Sequence, residues 1–295
     1  IPRDLVDGED YPVQTVEGAD VRLPVRPRDA HKGDFGKVYL LGGSVGYTGA
    51  PVFASRGAVR SGAGLVFLGV PESIWPVAAV KSDEAMPFPL PEAEGRLSLL
   101  AEETIRRRAA GCDAVLLGCG LGRGRQTDAL VRRLMDLPQP LVLDADGINA
   151  LAGHMDEWER RRGRVTVLTP HEGEFLRVGG DLSQGRTAAA TEFAHQSGAV
   201  VVLKGPGTVV AGPDGRCRVN TTGNCGMAKG GSGDVLSGVV LALLGLGMDA
   251  FDACCCAVWL HGRAGDLAAQ EKGQWGMTPT DLLERLPQAL REVTE

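Results

Sequence analysis

The order of this sequence predicts an α/β fold, a large and mostly parallel sheet with helices on both faces. Three observations carry that expectation. Six short apolar runs, at 37–41, 65–70, 113–117, 141–143, 165–168 and 199–203, are nearly continuous in hydrophobicity, the pattern of strands covered on both faces. Helical segments alternate with them, around 50–61, 101–110, 126–135, 173–178 and 186–197, and repeated β-α alternation builds a parallel sheet. Glycines gather where the runs end, at Gly42-Gly43, Gly118 to Gly122, and Gly205 and Gly207. Ligands of open parallel sheets sit outside those carboxyl ends, so these loops are expected to line one crevice.

Farther along, residues 208–211 and 216–219 flank Pro213-Asp214-Gly215 and read as a hairpin with Asp-Gly at its turn. The rest is helical in pattern, at 235–246, 251–270 and 280–293. Residues 1–30 are acidic and proline-rich with little periodicity, which reads as a linker or arm and leaves 31–295 as the domain.

The 295 residues, 43% hydrophobic and 23% charged, hold enough apolar material for a large core. A net charge of −6 argues against a broad nucleic-acid or membrane surface, where a basic excess is expected, so anionic ligands must be captured locally. The apolar runs fall short of a membrane span and a soluble cytoplasmic protein is expected. Seven cysteines, an odd number without Cys-x-x-Cys spacing, argue against a disulfide framework or a zinc site. Cys254-Cys255-Cys256 read as small buried hydrophobes, and Cys225 as a weak candidate for a reactive thiol. The arginine runs 106–108 and 160–162 read as solvated faces or helix ends, and Trp259 as core.

The most informative stretch is 220–234, in which Gly223, Gly226, Gly230, Gly231 and Gly233 lead straight into an apolar helix with Asp234 at its first turn. Such glycines let a backbone turn tightly and present N–H groups, and the helix start adds about half a positive charge, a combination suited to phosphate. Asp234 could simply complement the dipole, but a dipole cap does not need the glycines. Beside a phosphate site its chemical use is to take a proton from a hydroxyl attacking a phosphoryl group. Neither the Walker loop nor the dinucleotide fingerprint fits the spacing. The crevice should also receive Asp144, Asp146, His171, Glu174 and Lys204, the last a natural partner for a nucleotide phosphate. Each has a structural alternative: Asp146 a helix cap, His171 a satisfied loop histidine, Lys204 a solvated strand end.

In order, His31-Lys-Gly-Asp-Phe-Gly36, Gly42-Gly-Ser with Tyr47-Thr-Gly-Ala50, Arg60-Ser-Gly-Ala-Gly64, Gly118-x-Gly-Leu-Gly122, Asp144-Ala-Asp146, Leu168-Thr-Pro-His-Glu-Gly-Glu174, Leu203-Lys-Gly205 and the loop to Asp234 resemble the ADP- or ATP-dependent NAD(P)H-hydrate dehydratases of the ribokinase-like superfamily. The resemblance runs from about 28 to 290 and implies a repair reaction. A hydrated nicotinamide cofactor is phosphorylated by a nucleotide and then loses phosphate, restoring NADH or NADPH. It implies Asp234 as catalytic base, Ala50, Gly120, His171 and Asp234 as hydrate contacts, and Lys204, Gly205, Pro206, Gly207, Thr208, Asn224, Gly230, Gly231, Ser232 and Gly233 as nucleotide contacts. No protein metal ligand is expected; Mg²⁺ would bridge the nucleotide phosphates. The Thr-Pro-His form of the 169–171 loop resembles the bacterial members, and that resemblance implies ADP rather than ATP. A homo-oligomer is expected, and the texture of the arm suggests a seam with an NAD(P)H-hydrate epimerase domain, fused or separate. Gly147 stands where Ala is common in the family. Two other readings compete, a vitamin-precursor alcohol kinase of the same superfamily and a non-catalytic nucleotide-binding protein; the 169–174 and 47–50 motifs argue against the first and Asp234 against the second.

Overall fold

A computed structural model describes residues 13–295; residues 1–12, and the part of the arm expectation that falls on them, lie outside the described residues. In chain order the elements are β1 (Gln14–Val16), β2 (Lys37–Leu41), α1 (Gly49–Arg60), β3 (Leu65–Pro71), α2 (Trp75–Lys81), β4 (Met86–Leu90), β5 (Glu92–Ala93), β6 (Arg96–Leu97), α3 (Glu102–Ala109), β7 (Ala114–Leu117) and α4 (Arg125–Leu134). There follow β8 (Leu141–Leu143), α5 (Asp146–Asn149), β9 (Thr166–Leu168), α6 (Glu172–Arg177), α7 (Arg186–Ser197), β10 (Val200–Leu203), β11 (Val209–Ala211), β12 (Cys217–Asn220), α8 (Ser232–Gly245), α9 (Ala250–Gly276) and α10 (Pro279–Thr294).

Ten strands form a sheet in the order β1-β12-β11-β10-β9-β8-β7-β2-β3-β4, parallel except where β11 runs antiparallel to β10 and β12. All six apolar runs are strands of this sheet and fill its centre. Because β2 is followed on one side by β3 and flanked on the other by β7, chain direction across the sheet reverses there, and the carboxyl ends of β2 and β7 open a crevice. Two apolar cores cover the faces, one under α1, α8, α9 and α10, the other under α3, α4 and α7. Among the described residues no helix is long and apolar enough to cross a membrane.

Helix α8 is buried along almost its whole length, as its apolar composition on every side requires. It packs backbone to backbone on α1: a Cβ on Gly238 would lie 2.0 Å from the Ala54 carbonyl oxygen, and one on Gly57 2.6 Å from that of Val235. This contact fixes the start of α8 relative to the sheet. Asp249 caps α9, and Thr278, Pro279 and Asp281 start α10 with a reciprocal capping pair, so each chain reversal after α8 has its own side-chain cause.

Four features differ from the sequence expectation. Strand β4 is Met-Pro-Phe-Pro-Leu, whose prolines mask its character in sequence and are tolerated because it is an edge strand. Part of the arm joins the structure: β1 pairs in parallel with β12, and Val16 and Val21 are buried. Helix α9 runs on to Gly276 through a non-helical Gly273 (φ 72°). Arg161 is not solvated but buried, donating to Thr166 Oγ1 (2.9 Å) and to the carbonyls of Leu137, Gln139 and Val165. Its fork of donors is spent on this cluster of loop and strand-end carbonyls, and burial pushes its pKa down to about 10. The cysteines follow the sequence reading, all seven free and all buried except Cys225.

Candidate active site

The crevice has two walls. The first is the start of α8. Gly231 occupies its N-cap with φ 106°, a left-handed conformation that glycine adopts without strain, and no side chain caps the helix. The backbone N–H groups of Gly230, Gly231, Gly233 and Asp234 have no protein acceptor among the described residues. They form a cradle of donors at the positive end of a buried helix. Behind it, His261 of α9 lies 2.9 Å from the Ser232 carbonyl through Nε2, and burial pushes the imidazole pKa down to about 4, leaving it neutral at physiological pH.

The second wall is made of side chains at the strand ends. Asp144, after β8, is buried; its Oδ1 accepts from Lys204 Nζ and from Thr169 Oγ1, each at 2.8 Å. Lys204, after β10, also lies 3.9 Å from Glu174 Oε2. Burial opposes the ammonium charge, but Asp144 and Glu174 outweigh it and raise the Lys204 pKa. Glu174 in turn accepts from the His171 backbone N–H (2.9 Å) while its own N–H donates to His171 Nδ1 (3.2 Å), a reciprocal cap that starts α6 and holds the half-exposed imidazole in place. A backbone bridge pairs His171 with Lys204, so β9 and β10 deliver their loops side by side.

Asp234 faces this wall. One carboxylate oxygen of Asp234, one of Asp144 and the Cys119 Sγ all lie within 4.8 Å of one another. Burial, followed by the Asp144 charge, pushes the Asp234 pKa up to about 7. A carboxyl group poised there can accept a proton at neutral pH and hold it long enough to matter.

The remaining expected residues fall into three groups. Ala50 and Gly120 meet at the switch point, a Cβ on Gly120 coming within 2.9 Å of that of Ala50, and Gly43 N donates to the Cys119 carbonyl (2.8 Å) to lock the two loops. Gly205 to Thr208 form the β10–β11 turn, closed by Thr208 Oγ1 donating to the Gly205 carbonyl (3.0 Å). Asn224 is set apart from these: its amide accepts from Gly226 N (3.0 Å) and donates to Asp266 (2.9 Å), so the side chain shapes the loop. Asp146 ties its segment to the crevice by accepting from Gly122 N (2.9 Å). Gly147 is more than a family variant, since a Cβ there would lie 2.3 Å from the Leu117 carbonyl oxygen.

Sequence reasoning missed two residues. Arg186 of α7 donates to the carbonyls of Leu203, Pro206 and Gly207 and lies 3.2 Å from Glu172, clamping the 203–207 turn to the His171 loop. Cys119 stood in the sequence only as the variable position of Gly-x-Gly.

The profile of the NAD(P)H-hydrate dehydratase family matches residues 38–288. The chain belongs to that family. It is 37% identical over 255 residues to the ADP-dependent (S)-NAD(P)H-hydrate dehydratase of Neisseria meningitidis, covering 84% of this chain and 82% of that one. It is 41% identical to the bifunctional NAD(P)H-hydrate repair enzyme Nnr of Thermofilum pendens over the whole of this chain, which spans 57% of that relative's length. Among solved structures, the ADP/ATP-dependent NAD(P)H-hydrate dehydratase of Bacillus subtilis, co-crystallised with ATP/Mg²⁺, superposes with a TM-score of 0.78 at 32% identity over 95% of this chain and 99% of that one. The fold is the ribokinase-like one expected from the sequence.

Proposed function

We propose that the chain performs the ADP-dependent dehydration of hydrated NADH and NADPH, forming AMP, phosphate and the restored cofactor. The observation that carries this reading is Asp234, a carboxyl group poised near neutrality beside a cradle of backbone donors unpartnered among the described residues. Asp234 takes the proton of the ring hydroxyl as its oxygen attacks the terminal phosphoryl group of ADP, and the bond to AMP breaks. The N–H groups of Gly233 and its neighbours meet the charge on the transferring group, where preorganised donors act most strongly. The ring nitrogen then pushes its lone pair toward the carbon that bears phosphate, phosphate leaves, and loss of a proton from the next carbon restores the double bond.

Lys204 and the Gly205–Thr208 turn serve the nucleotide, with Gly230, Gly231, Ser232 and Gly233, and Asn224 shapes their loop. Ala50, Gly120 and His171 border the hydrate. Mg²⁺ takes oxygen ligands and keeps several waters. Cys119, Asp144 and Asp234 are the cluster of ligating side chains among the described residues; it includes a thiol, which Mg²⁺ disfavours, and a carboxylate already holding Lys204. An Mg²⁺ ion would accordingly be held by the nucleotide phosphates and would neutralise their charge there, the cluster offering it no dedicated protein site. Residues 31–295, together with the arm segment that pairs as β1, are the dehydratase unit in this reading, placed in the cytoplasm with ADP and the reduced cofactors. The bifunctional name of the longer relative supports a pairing with a second repair activity, an NAD(P)H-hydrate epimerase by the sequence resemblance.

Incubation with hydrated NADH, ADP and Mg²⁺ tests this directly. Dihydronicotinamide absorbance should return with one AMP and one phosphate formed per hydrate consumed. A stable phosphate ester of a pyrimidine or thiazole alcohol, with no turnover of the hydrate, would instead establish the kinase reading.

A further inference from the structure

The proposed reaction leaves one buried group of the crevice without a task. Cys119 lies in the loop two residues past the end of β7 with its side chain fully buried, and its thiol donates to Asp144 Oδ2 across 3.8 Å. That acceptor has little need of it, because Asp144 already receives the Lys204 ammonium and the Thr169 hydroxyl on Oδ1. Asp234 is in the opposite position. Its carboxylate accepts no hydrogen bond from a lysine, arginine or hydroxyl side chain among the described residues, and the thiol stands within 4.8 Å of it.

We propose that Cys119 is a positioning residue for the base: its thiol turns from Asp144 to Asp234 as Asp234 ionises, holding that carboxylate toward the crevice and favouring its charged form. A donor to the charged form of a carboxylate lowers the cost of ionising it. The thiol itself cannot compete for the charge, since burial and the two neighbouring carboxylates hold its own pKa well above the usual thiol range. Around Asp234 stand Asp144 and Asp146 from the β8 end, which oppose its ionisation, and Lys204 from the β10 end, which favours it and is shared with Glu174 of α6. His261 of α9 is neutral and occupied with Ser232. Cys119 is thus the donor from the loop after β7, and a weak, polarisable one that can serve either carboxylate.

This inference rests on the base role of Asp234, but Asp234 can be titrated without turnover. The experiment is a carboxyl-carbon NMR titration of aspartate-labelled protein, the Asp234 resonance assigned with Asp234→Asn, for wild type, Cys119→Ala and Cys119→Ser. The pH profile of kcat/KM is recorded in parallel. Cys119→Ala should raise the Asp234 midpoint and the acid limb together by about half to one pH unit, a roughly three- to ten-fold loss at pH 6 that fades by pH 9. Cys119→Ser, which keeps a donor, should stay within about a fifth of a unit of wild type. If Ala loosens the fold, Cys119→Val supplies a second donor-free side chain. An unmoved midpoint in a folded donor-free variant overturns the proposal, as does an equal shift in Cys119→Ser. A midpoint that moves as expected in a protein inactive on the hydrate supports Cys119 and overturns the dehydratase reading instead.

Discussion

The two walls of the crevice are built from opposite materials. At the start of α8 the working groups are backbone N–H groups, unpartnered among the described residues and held in place by the α1–α8 contact. At the strand ends they are charged side chains, nearly all engaged with one another: Lys204 with Asp144 and Glu174, Glu174 with His171. Backbone donors held by packing cost no reorganisation when an anion arrives, whereas a paired side-chain network stays fixed only while every member is present. In the proposed reaction the backbone wall meets the transferring charge and the side-chain wall sets geometry.

Asp234 sits where the walls meet, and its loss should have the largest effect. Asp234→Asn keeps size and polarity while removing the proton acceptor, so turnover should fall by about 10²–10⁴-fold with ADP affinity nearly unchanged. Single-turnover kinetics with calorimetry decide it; activity within a few-fold of wild type would remove Asp234 from the base role.

Breaking the side-chain wall should show in stability as well as binding. Lys204→Ala leaves Asp144 and Glu174 facing each other without a cation, and removing one member of a buried ion pair costs about 3–5 kcal/mol. Urea unfolding should report most of that loss, and calorimetry a weakened ADP affinity. A variant as stable as wild type would show that the network is not coupled.

The pH dependence sharpens the same contrast. With the Asp234 pKa pushed up from 3.8 to about 7, the base is protonated in acid and kcat/KM should rise with pH through about 7. The folded protein binds a proton there that the unfolded chain releases from about pH 4 upward, so this group lowers stability as pH climbs from about 4 to 7. Asp234→Asn removes that penalty. Thermal melts of the two proteins should coincide near pH 4 and separate toward pH 8, the variant melting higher; parallel curves would mean an unshifted carboxyl group.

The smallest effect is expected at His171, whose imidazole is held by Glu174 at the rim. His171→Asn should raise the apparent KM for the hydrate several-fold and change kcat less. The reverse pattern would give it a chemical role.

The backbone wall was readable in sequence because its information is local: glycines, a helix start and one carboxylate lie within a dozen residues. The strand-end wall was readable only in part. Asp144, His171, Glu174 and Lys204 could be placed in the crevice since each follows a strand of the sheet, but their mutual pairing depends on the order of β8, β9 and β10. Cys119 gave no signal at all, being 25 residues from Asp144 and brought to it by strand pairing between β7 and β8. Likewise β1 and β4 escaped notice because edge strands need neither continuous apolar character nor every N–H.

The antiparallel β11 carries a practical consequence. Because it runs back from the crevice, the Pro213-Asp214-Gly215 turn emerges at the opposite edge of the sheet, exposed and beside the starts of β9 and β10. A fluorophore, affinity tag or surface linker grafted at Gly215 would sit at a loop tip behind the catalytic face, where insertions are best tolerated. The protein could then be immobilised with its crevice turned toward the solution, in one fixed orientation on a bead or electrode surface.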